Sequence, residues 1–113
     1  MRFKDRVSLE DRTRESKKII KKYPTKIPII CENNGKSLPD IDKKKFLVPK
    51  ELSLAQFMYI IRKRINVSPD KSIFLMINNN LIPSAKLISE IYQEHSDEDG
   101  FLYVYYDGES TFG

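Results

Sequence analysis

Hydrophobic and polar residues follow two different periods along the chain, and these periods predict its helices and strands. Between residues 54 and 65 the apolar residues recur at the spacing of one helix face. Ser53 and Gln56 form a capping-box pattern at the start of this segment, so it is predicted to be the main core helix. Its inward-facing residues are predicted to be Leu54, Phe57, Met58, Ile61 and Ile65.

Two further segments are predicted to be helical. Residues 9–22 contain no Gly or Pro, and Ser8 stands where its side chain can cap the first turn. The few apolar residues of this segment predict an accessory helix on the surface of the domain. They are Leu9, Ile19 and Ile20. A shorter helix is predicted from Ser84 to about Glu94, with Leu87, Ile88 and Ile91 facing inward.

Four short segments are predicted to be strands, because their apolar residues are bounded by turn residues. The first two are predicted to form a hairpin, since residues 33–40 between them are rich in Asn, Gly, Pro and Asp. Pro28 has no N–H for a sheet ladder and Pro49 ends the second strand, so a sheet edge here is predicted to stay unpaired. A further turn is predicted at residues 78–80. The four strands are 27–32, 46–48, 73–77 and 101–106.

The predicted order is helix, strand, strand, helix, strand, helix, strand and tail. This order indicates an α+β fold, and a β-grasp domain is the simplest arrangement that has it. A chain of 113 residues is long enough for one domain with one hydrophobic core. The parts are predicted to be an N-terminal helical arm at 1–22, a core at 23–106 and a flexible tail at 107–113.

The composition indicates a soluble, packed domain, with 40% hydrophobic and 32% charged residues. The longest apolar stretches, such as residues 73–77, are far shorter than the roughly 18 residues that span a bilayer. Residues 1–18 have no apolar stretch typical of a secretory signal, and their acidic residues argue against a transit peptide. The single cysteine, Cys31, cannot form an internal disulfide. The expected location is therefore the cytoplasm.

The net charge of +4 conceals a strong asymmetry along the chain. Residues 1–64 carry 18 basic and 8 acidic side chains, a net charge of +10, whereas residues 65–113 carry 2 basic and 8 acidic side chains, a net charge of −6. A basic surface attracts acidic peptides, anionic lipid headgroups and nucleic acid alike. Charge therefore narrows the class of partner without selecting one.

Residues suited to catalysis or cofactor binding are few. Cys31 and His95 are the only Cys and His, and no pattern brings them together. Cys31 alternates with Ile29 on a predicted strand, so a small core residue is the simpler interpretation. The sequence contains no closed set of zinc or calcium ligands and no glycine-rich phosphate loop. It predicts a protein that is not an enzyme, and neither a metal nor a cofactor is expected.

The aromatic residues of the last predicted strand resemble those of an RNA-recognition strand, which begins with a basic residue and glycine. Here Gly100 is preceded instead by Asp97, Glu98 and Asp99, whose negative charge would repel phosphates. Alternating aromatic residues are also typical of ordinary sheet packing. Nucleic acid is therefore not expected as a partner.

Two basic segments leave alternatives open. The basic residues between Arg12 and Lys22 form either a solvated helix face or part of a binding surface. Lys43, Lys44 and Lys45 directly precede the strand at 46–48, where lysines either protect a sheet edge or receive an acidic peptide that adds as another strand.

Five short segments carry a resemblance that extends over nearly the whole chain. They are Lys21-Lys-Tyr-Pro24, Asp42-Lys-Lys-Lys-Phe-Leu-Val-Pro49, Ile61-Arg-Lys-Arg-Ile65, Tyr92-Gln-Glu-His95 and Phe112-Gly113. In this order and at this spacing they resemble the autophagy ubiquitin-like modifiers, the family of microtubule-associated protein light chain 3 and the GABA-receptor-associated protein. The resemblance implies a ubiquitin-like β-grasp fold with two additional N-terminal helices.

The resemblance also implies a function in which Gly113 is a substrate. An activating enzyme would adenylate its carboxylate, a conjugating enzyme would carry it as a thioester, and the amine of phosphatidylethanolamine would attack that thioester. A cysteine protease would process and deconjugate the chain. The implied protein is a monomer in solution, acts in autophagosome formation, and is held on the autophagosome membrane by its covalent lipid.

The family binds partner segments with an aromatic residue, two spacers and an aliphatic residue, in two pockets beside the second strand. The residues that match its aromatic pocket are Glu15, Ile19, Pro28, Ile30, Lys45, Leu47 and Phe101. Those that match the aliphatic pocket are Phe46, Val48, Pro49, Leu52, Phe57 and Ile60. Those that would meet acids flanking the motif are Lys26, Lys43, Lys44 and Arg64.

The chain departs from the family pattern in three places. Many members carry residues beyond the glycine that a protease removes, whereas this sequence ends at Gly113. Phe112 stands where tyrosine is common, and residues 7–9 match only loosely. The rival interpretation is a basic protein that binds nucleic acid or the cytoskeleton, for which phosphate contacts would make affinity fall steeply with salt.

Overall fold

The computed structural model describes residues 1–109 and confirms the predicted succession of helices and strands. Two short elements have no repeating hydrophobic pattern. They are helix α1, which with α2 gives the two N-terminal helices that the family resemblance implies, and strand β4, which was not predicted. The elements are α1 Phe3–Arg6, α2 Leu9–Lys22, β1 Lys26–Asn33, β2 Lys45–Pro49, α3 Leu54–Ile65, β3 Phe74–Ile77, β4 Asn80–Leu81, α4 Ile88–His95 and β5 Leu102–Asp107.

The predicted helix caps are present where the sequence places them. The Ser8 side chain accepts a hydrogen bond from the Asp11 N–H at the start of α2. At the start of α3, Ser53 and Gln56 bond to each other's backbone N–H groups in a complete capping box. These bonds satisfy backbone donors that the first turn of a helix otherwise leaves free. The same local chemistry therefore begins both helices.

The prediction for α4 was wrong at its start. The helix begins at Ile88 rather than Ser84, because residues 83–86 form a turn in which the Lys86 N–H donates to the Pro83 carbonyl. Leu87 has an extended backbone as the N-cap and is 38% exposed, so it does not face inward as predicted. Ile88 and Ile91 are buried as predicted.

Five strands form one mixed sheet in the order β2-β1-β5-β3-β4. The β1–β2 hairpin is antiparallel, as predicted, whereas β1 and β5 are parallel neighbours at the centre. Pro28 lies on a central strand and does not mark the open edge, which belongs to β2. The missing Pro28 N–H is tolerated because pairing between β1 and β5 begins one residue later, at Ile29 and Leu102.

The two faces of the sheet carry two separate apolar clusters. Helices α3 and α4 cover one face and form the main core with inward residues such as Ile29, Phe57 and Val104. On the other face a smaller cluster contains Phe3 and Ile30, against which α1 and α2 pack. The accessory helix therefore covers a sheet face that would otherwise be exposed, as its weak apolar character predicts.

Helix α2 is tied to the sheet through the buried carboxylate of Asp99, which is 0% exposed. The Arg12 guanidinium donates to Asp99 Oδ2 at 2.8 Å, and the Tyr103 hydroxyl donates to the same oxygen at 2.5 Å. The Phe101 N–H donates to Oδ1 at 2.8 Å. Burial, and then the hydrogen bond to Asp99, raises the pKa of Tyr103, so this hydroxyl stays a donor.

A second contact beside the carboxylate requires a glycine. Gly100 has a positive φ of 91°, a conformation that favours glycine, and its hydrogen atoms face Ser16 of α2. The Ser16 hydroxyl donates to the Asp99 carbonyl oxygen. Because position 100 is a glycine, the turn before β5 can lie close to helix α2. Ser16 and Arg12 of α2 can then both bond to Asp99.

Strand β5 ends at Asp107, one residue beyond the predicted end of the core at Tyr106, because the strand pairing reaches Phe74 opposite Asp107. Across residues 1–109, the structure contains no helix with the length and apolar character needed to cross a bilayer.

We expect Arg12→Ala to lower the free energy of unfolding by about 3 kcal/mol, because it leaves the buried Asp99 carboxylate without its cation. Arg14→Ala on the same helix is the matched control, since Arg14 forms only exposed pairs with Glu10 and Asp11 and should cost at most about 0.5 kcal/mol. Urea denaturation measures both values. Equal losses for the two variants would contradict the assigned role of Asp99.

Candidate functional site

The edge strand β2 presents unpaired backbone groups along one side of the sheet. In the β1–β2 ladder the Cys31 N–H donates to the Lys44 carbonyl at 2.8 Å. Because inward and outward residues alternate along an antiparallel strand, Lys45 and Leu47 direct their N–H and C=O groups outward. An added extended segment can therefore bond to these two residues. We call this surface the β2 edge.

One face of the β2 edge lies next to α2 and holds most of the residues predicted for the aromatic pocket. Pro28 pairs with Leu47 and Ile30 with Lys45, so these four side chains share a face. Ile30 packs in the small cluster together with Ile19 of α2, so this is the face of the sheet that α2 covers.

The floor of this region is fully buried. Ile30 and Phe101 are 0% and 1% exposed, and Ile19 is half-buried against them. The ring of Phe101 meets that of Phe3 edge to face, with centroids 5.7 Å apart. Phe3 was not predicted as part of this site, because α1 has no sequence pattern that signals it.

An ion pair lies between β2 and α2 above this floor. Lys45 Nζ is 2.7 Å from Glu15 Oε2 and 5.2 Å from the centroid of the Phe3 ring. Both side chains are partly exposed, so the pair is only weakly stabilising and can be opened at small cost. All seven residues predicted for the aromatic pocket thus belong to this α2 side of β2.

On the opposite face, a cleft of about 550 Å³ lies between β2 and α3. It contains three of the six residues predicted for the aliphatic pocket, which are Phe46, Val48 and Ile60. A fourth, Phe57, is 0% exposed and supports Phe46 edge to face at 5.6 Å between centroids. Phe57 therefore belongs to the main core and to the floor beneath the cleft.

The other two predicted residues are not among those that line the cleft. Pro49 is exposed at the end of β2. Leu52 is half-buried and packs against the main core, because a turn in which its N–H donates to the Pro49 carbonyl carries it away from the strand. The cleft therefore contains part of the set predicted for the aliphatic pocket.

Two of the predicted basic residues border the cleft. Lys43 Nζ and the Arg64 guanidinium carbon lie 5.6 and 6.0 Å from the centroid of the Phe46 ring. Arg64 also pairs with exposed Asp42, with a separation of 3.4 Å between Nε and Oδ1. The positive charges of Lys43 and Arg64 therefore lie where acidic groups of a peptide segment in the cleft could reach them.

The other two predicted basic residues lie elsewhere. Lys26 is half-buried at the start of β1, opposite Pro49. Lys44 donates to the buried Glu32 carboxylate at 3.0 Å and to the Met1 carbonyl at 2.8 Å. Lys44 therefore holds the N-terminal segment on the sheet, because Glu32 needs a cation there.

Three further residues line the cleft that sequence reasoning did not assign to it. They are Leu47, Tyr59 and Lys63. Tyr59 is 59% exposed, and Lys63 lies 4.8 Å above its ring. The spacing of Tyr59, Ile60, Lys63 and Arg64 on α3 is the signal that could have grouped them, since residues three and four apart share a helix face.

The remaining predicted chemistry is placed as follows. Cys31 is fully buried, and this burial, followed by the charge of Glu32, raises the pKa of its thiol, so the reactive thiolate is disfavoured. His95 Nδ1 lies 3.1 Å from the Asn78 side-chain nitrogen. Among residues 1–109, no three His, Cys, Asp or Glu side chains come together to hold a metal ion.

Gly113, the predicted conjugation site, lies outside the described residues.

Known proteins resemble this chain over nearly its whole length. A family model described as "Autophagy protein Atg8 ubiquitin like" matches residues 11–113. Autophagy-related protein 8 of Schizosaccharomyces pombe is 56% identical, with 98% of this chain and 93% of the relative covered. Autophagy-related protein 8d of Arabidopsis thaliana is 54% identical, with 98% and 93% covered.

Solved structures give the same result for the fold. The crystal structure of Trypanosoma brucei ATG8 has a TM-score of 0.92 at 36% identity, and covers 100% of this chain and 98% of that chain. Plasmodium falciparum Atg8, in complex with a Plasmodium falciparum Atg3 peptide, has a TM-score of 0.91 at 37% identity, with 99% of each chain covered. The ubiquitin-like α+β fold and the family predicted from the sequence are confirmed. This chain therefore belongs to the Atg8 family of ubiquitin-like autophagy proteins.

Proposed function

We propose that this chain is a modifier that is joined through Gly113 to phosphatidylethanolamine, and that its β2 edge binds partner segments with an aromatic-x-x-aliphatic motif. The observation that carries the binding part is the position of two apolar sites on opposite faces of one open edge. The α2 side contains Ile30 and Phe101, and the α3 side contains Phe46 and Ile60.

The spacing of the motif fits this arrangement for a physical reason. Side chains alternate between the two faces of an extended strand, so residues separated by three positions lie on opposite faces. A segment that bonds to the outward backbone groups of Lys45 and Leu47 would place its aromatic residue against α2 and its aliphatic residue against α3. Acidic residues beside the motif would meet Lys43 and Arg64.

The conjugation part rests on family membership and on the glycine at position 113, which lies within the family match. The Gly113 carboxylate attacks the α-phosphate of ATP on an activating enzyme and pyrophosphate leaves. A thiolate then displaces AMP, and transfer to the thiol of a conjugating enzyme keeps the thioester. The lipid amine attacks the thioester carbonyl, the thiol leaves, and an amide forms. A cysteine protease hydrolyses this amide when the chain is released.

Glycine suits these steps because it lacks a Cβ and can pass through a narrow enzyme channel. The Atg3 peptide bound to Plasmodium falciparum Atg8 supports a conjugating enzyme as one partner. In this role the chain is not an enzyme and acts as a monomer without a cofactor. It moves from the cytoplasm to the autophagosome membrane when the lipid is attached, and there recruits cargo receptors and adaptors.

Deletion of Gly113 should abolish lipid conjugation, because it removes the residue whose carboxylate is activated. A reconstituted reaction with the activating enzyme, the conjugating enzyme and phosphatidylethanolamine vesicles measures this by a gel shift of the product. The deletion variant should bind motif peptides as well as the unaltered chain does. A lipid-linked product from the deletion variant would contradict the proposal.

A peptide with one spacer in place of two should bind about 30-fold more weakly, because both of its anchors then lie on the same face of the added strand. Calorimetry compares this peptide with the two-spacer parent. A second two-spacer peptide, with the two spacers exchanged, is the control and should keep its affinity. Equal affinity for one and two spacers would rule out strand addition at the β2 edge.

Ile60→Ala should weaken peptide binding by about 2 kcal/mol, because the cleft loses the side chain that meets the aliphatic anchor. Ile60 is 36% exposed, so the fold should tolerate the change. Leu81→Ala is the matched control, since Leu81 is a 54% exposed aliphatic residue on β4 at the opposite edge of the sheet. If both variants bind equally well with intact folds, the α3 cleft is not the aliphatic site.

A further inference from the structure

The last strand of the sheet, β5, ends in a buried acidic residue. Asp107 is the last residue of β5 and is 7% exposed. Buried carboxylates need hydrogen-bond donors, and those of Asp107 come from both sides of the strand end. Ser37, in the loop between β1 and β2, donates from its hydroxyl to Asp107 Oδ1 at 3.3 Å. The Glu109 N–H donates to the same oxygen at 3.2 Å.

Ser37 also holds the residue that follows the strand. The Gly108 N–H donates to Ser37 Oγ at 3.2 Å. Two further bonds link the same loop to β5, from the Asn34 N–H to the Tyr106 carbonyl at 2.8 Å and from the Tyr106 hydroxyl to the Pro39 carbonyl at 2.7 Å. The loop therefore holds the backbone as far as Gly108, and the Asp107 carboxylate holds the N–H of Glu109.

Gly35 allows the loop to reach the carboxylate. A Cβ at position 35 would lie 2.6 Å from both Asp107 carboxylate oxygens, a distance at which one of the groups must move. A side chain at position 35 would therefore have to displace the Asp107 carboxylate from its present position. We call Gly35, Ser37 and Asp107 the tail clamp.

The clamp residue Asp107 comes six positions before Gly113 in the sequence, the residue that is the substrate in the proposed function. Gly113 is four residues beyond Glu109. Because an extended chain spans at most about 3.6 Å per residue, Gly113 can be no more than roughly 14 Å from Glu109. Any enzyme that acts on Gly113 must therefore work within roughly 14 Å of Glu109, whose N–H is bonded to the clamp residue Asp107.

We propose that the tail clamp positions the C-terminal segment for the enzymes that act on Gly113, an inference that rests on the proposed conjugation. With the backbone fixed through Glu109, an enzyme does not have to order residues 107–109 when it binds. Without the clamp it must order these residues, and that entropy cost weakens binding before chemistry begins. Asp107 and Ser37 are positioning residues in this role, since they do not touch the reacting carboxylate.

The test compares Ser37→Ala with Ser37→Thr. The first removes the hydroxyl that makes two of the bonds and should raise the KM of the chain for thioester formation on the activating enzyme about fivefold, with kcat unchanged. The second keeps the hydroxyl and should restore the KM. Gly35→Ala, which displaces Asp107 by its bulk, should act like Ser37→Ala. Ser96→Ala, an exposed serine after α4, is the matched control.

Two measurements separate positioning from a general loss of structure. Amide ¹⁵N relaxation should give Gly108 and Glu109 order parameters near 0.85 in the unaltered chain, and values that fall toward about 0.6 in Ser37→Ala. The melting temperature and the affinity for a motif peptide should not change. A purely structural role would move these two values together with the KM, and would overturn the proposal.

Two further outcomes are distinguishable. If the unaltered chain forms thioester and lipid product and Ser37→Ala has the same KM, the positioning role is rejected and the proposed function stands. If the unaltered chain forms neither product, the proposed function is rejected and the positioning role falls with it.

Discussion

The rest of the site depends on the ion pair between the buried carboxylate of Asp99 and Arg12. A charge in a position with no solvent exposure is tolerated only when donors surround it, and here Arg12, Tyr103 and a backbone N–H supply them. Arg12 belongs to α2 and Tyr103 to β5, so satisfying the charge fixes the helix on the sheet. The same helix carries Glu15 and Ile19, which then lie beside β2. The α2 side of the edge is thus built by electrostatics as much as by apolar packing.

The lysines beside the β2 edge bear on two alternatives that the sequence left open. An open strand edge invites pairing with other chains, and lysines on the edge discourage indiscriminate pairing because each must keep its charge solvated or paired. Lys45 pairs with Glu15, and Lys43 lies beside the Phe46 ring at the border of the cleft. In the proposed function Lys43 would also meet acids beside a bound segment, so edge protection and a preference for acidic partners would be two effects of one arrangement of charge.

The parts of this structure that could be predicted from sequence are those that local rules determine. The Ser53 capping box, the helical spacing of α3 and the apolar strands were correct for this reason. Arg12 was grouped with basic residues for which a solvated helix face and a binding surface were both left open, and its burial depends on a partner 87 residues away that no local pattern indicates. Phe3 lies in α1, which has four residues, and β4 has two residues. Both elements are too short to show a periodic hydrophobic pattern. Lys44 was assigned to partner binding because its need to neutralise Glu32 exists only in the folded chain.

In the proposed function, a modifier that is joined through Gly113 and binds partners through the β2 edge must keep these two sites apart. The strand order gives this separation, because β1 lies between the β2 edge and β5, and two strand spacings amount to about 10 Å across the sheet. A partner strand would add on the far side of β2 and leave the end of β5 free. The loop between β1 and β2 spans the two regions, with Ser37 at the end of β5 and Lys43 beside the cleft. In the proposed function, changes in this one loop would therefore alter either site, which makes its sequence a constraint on both.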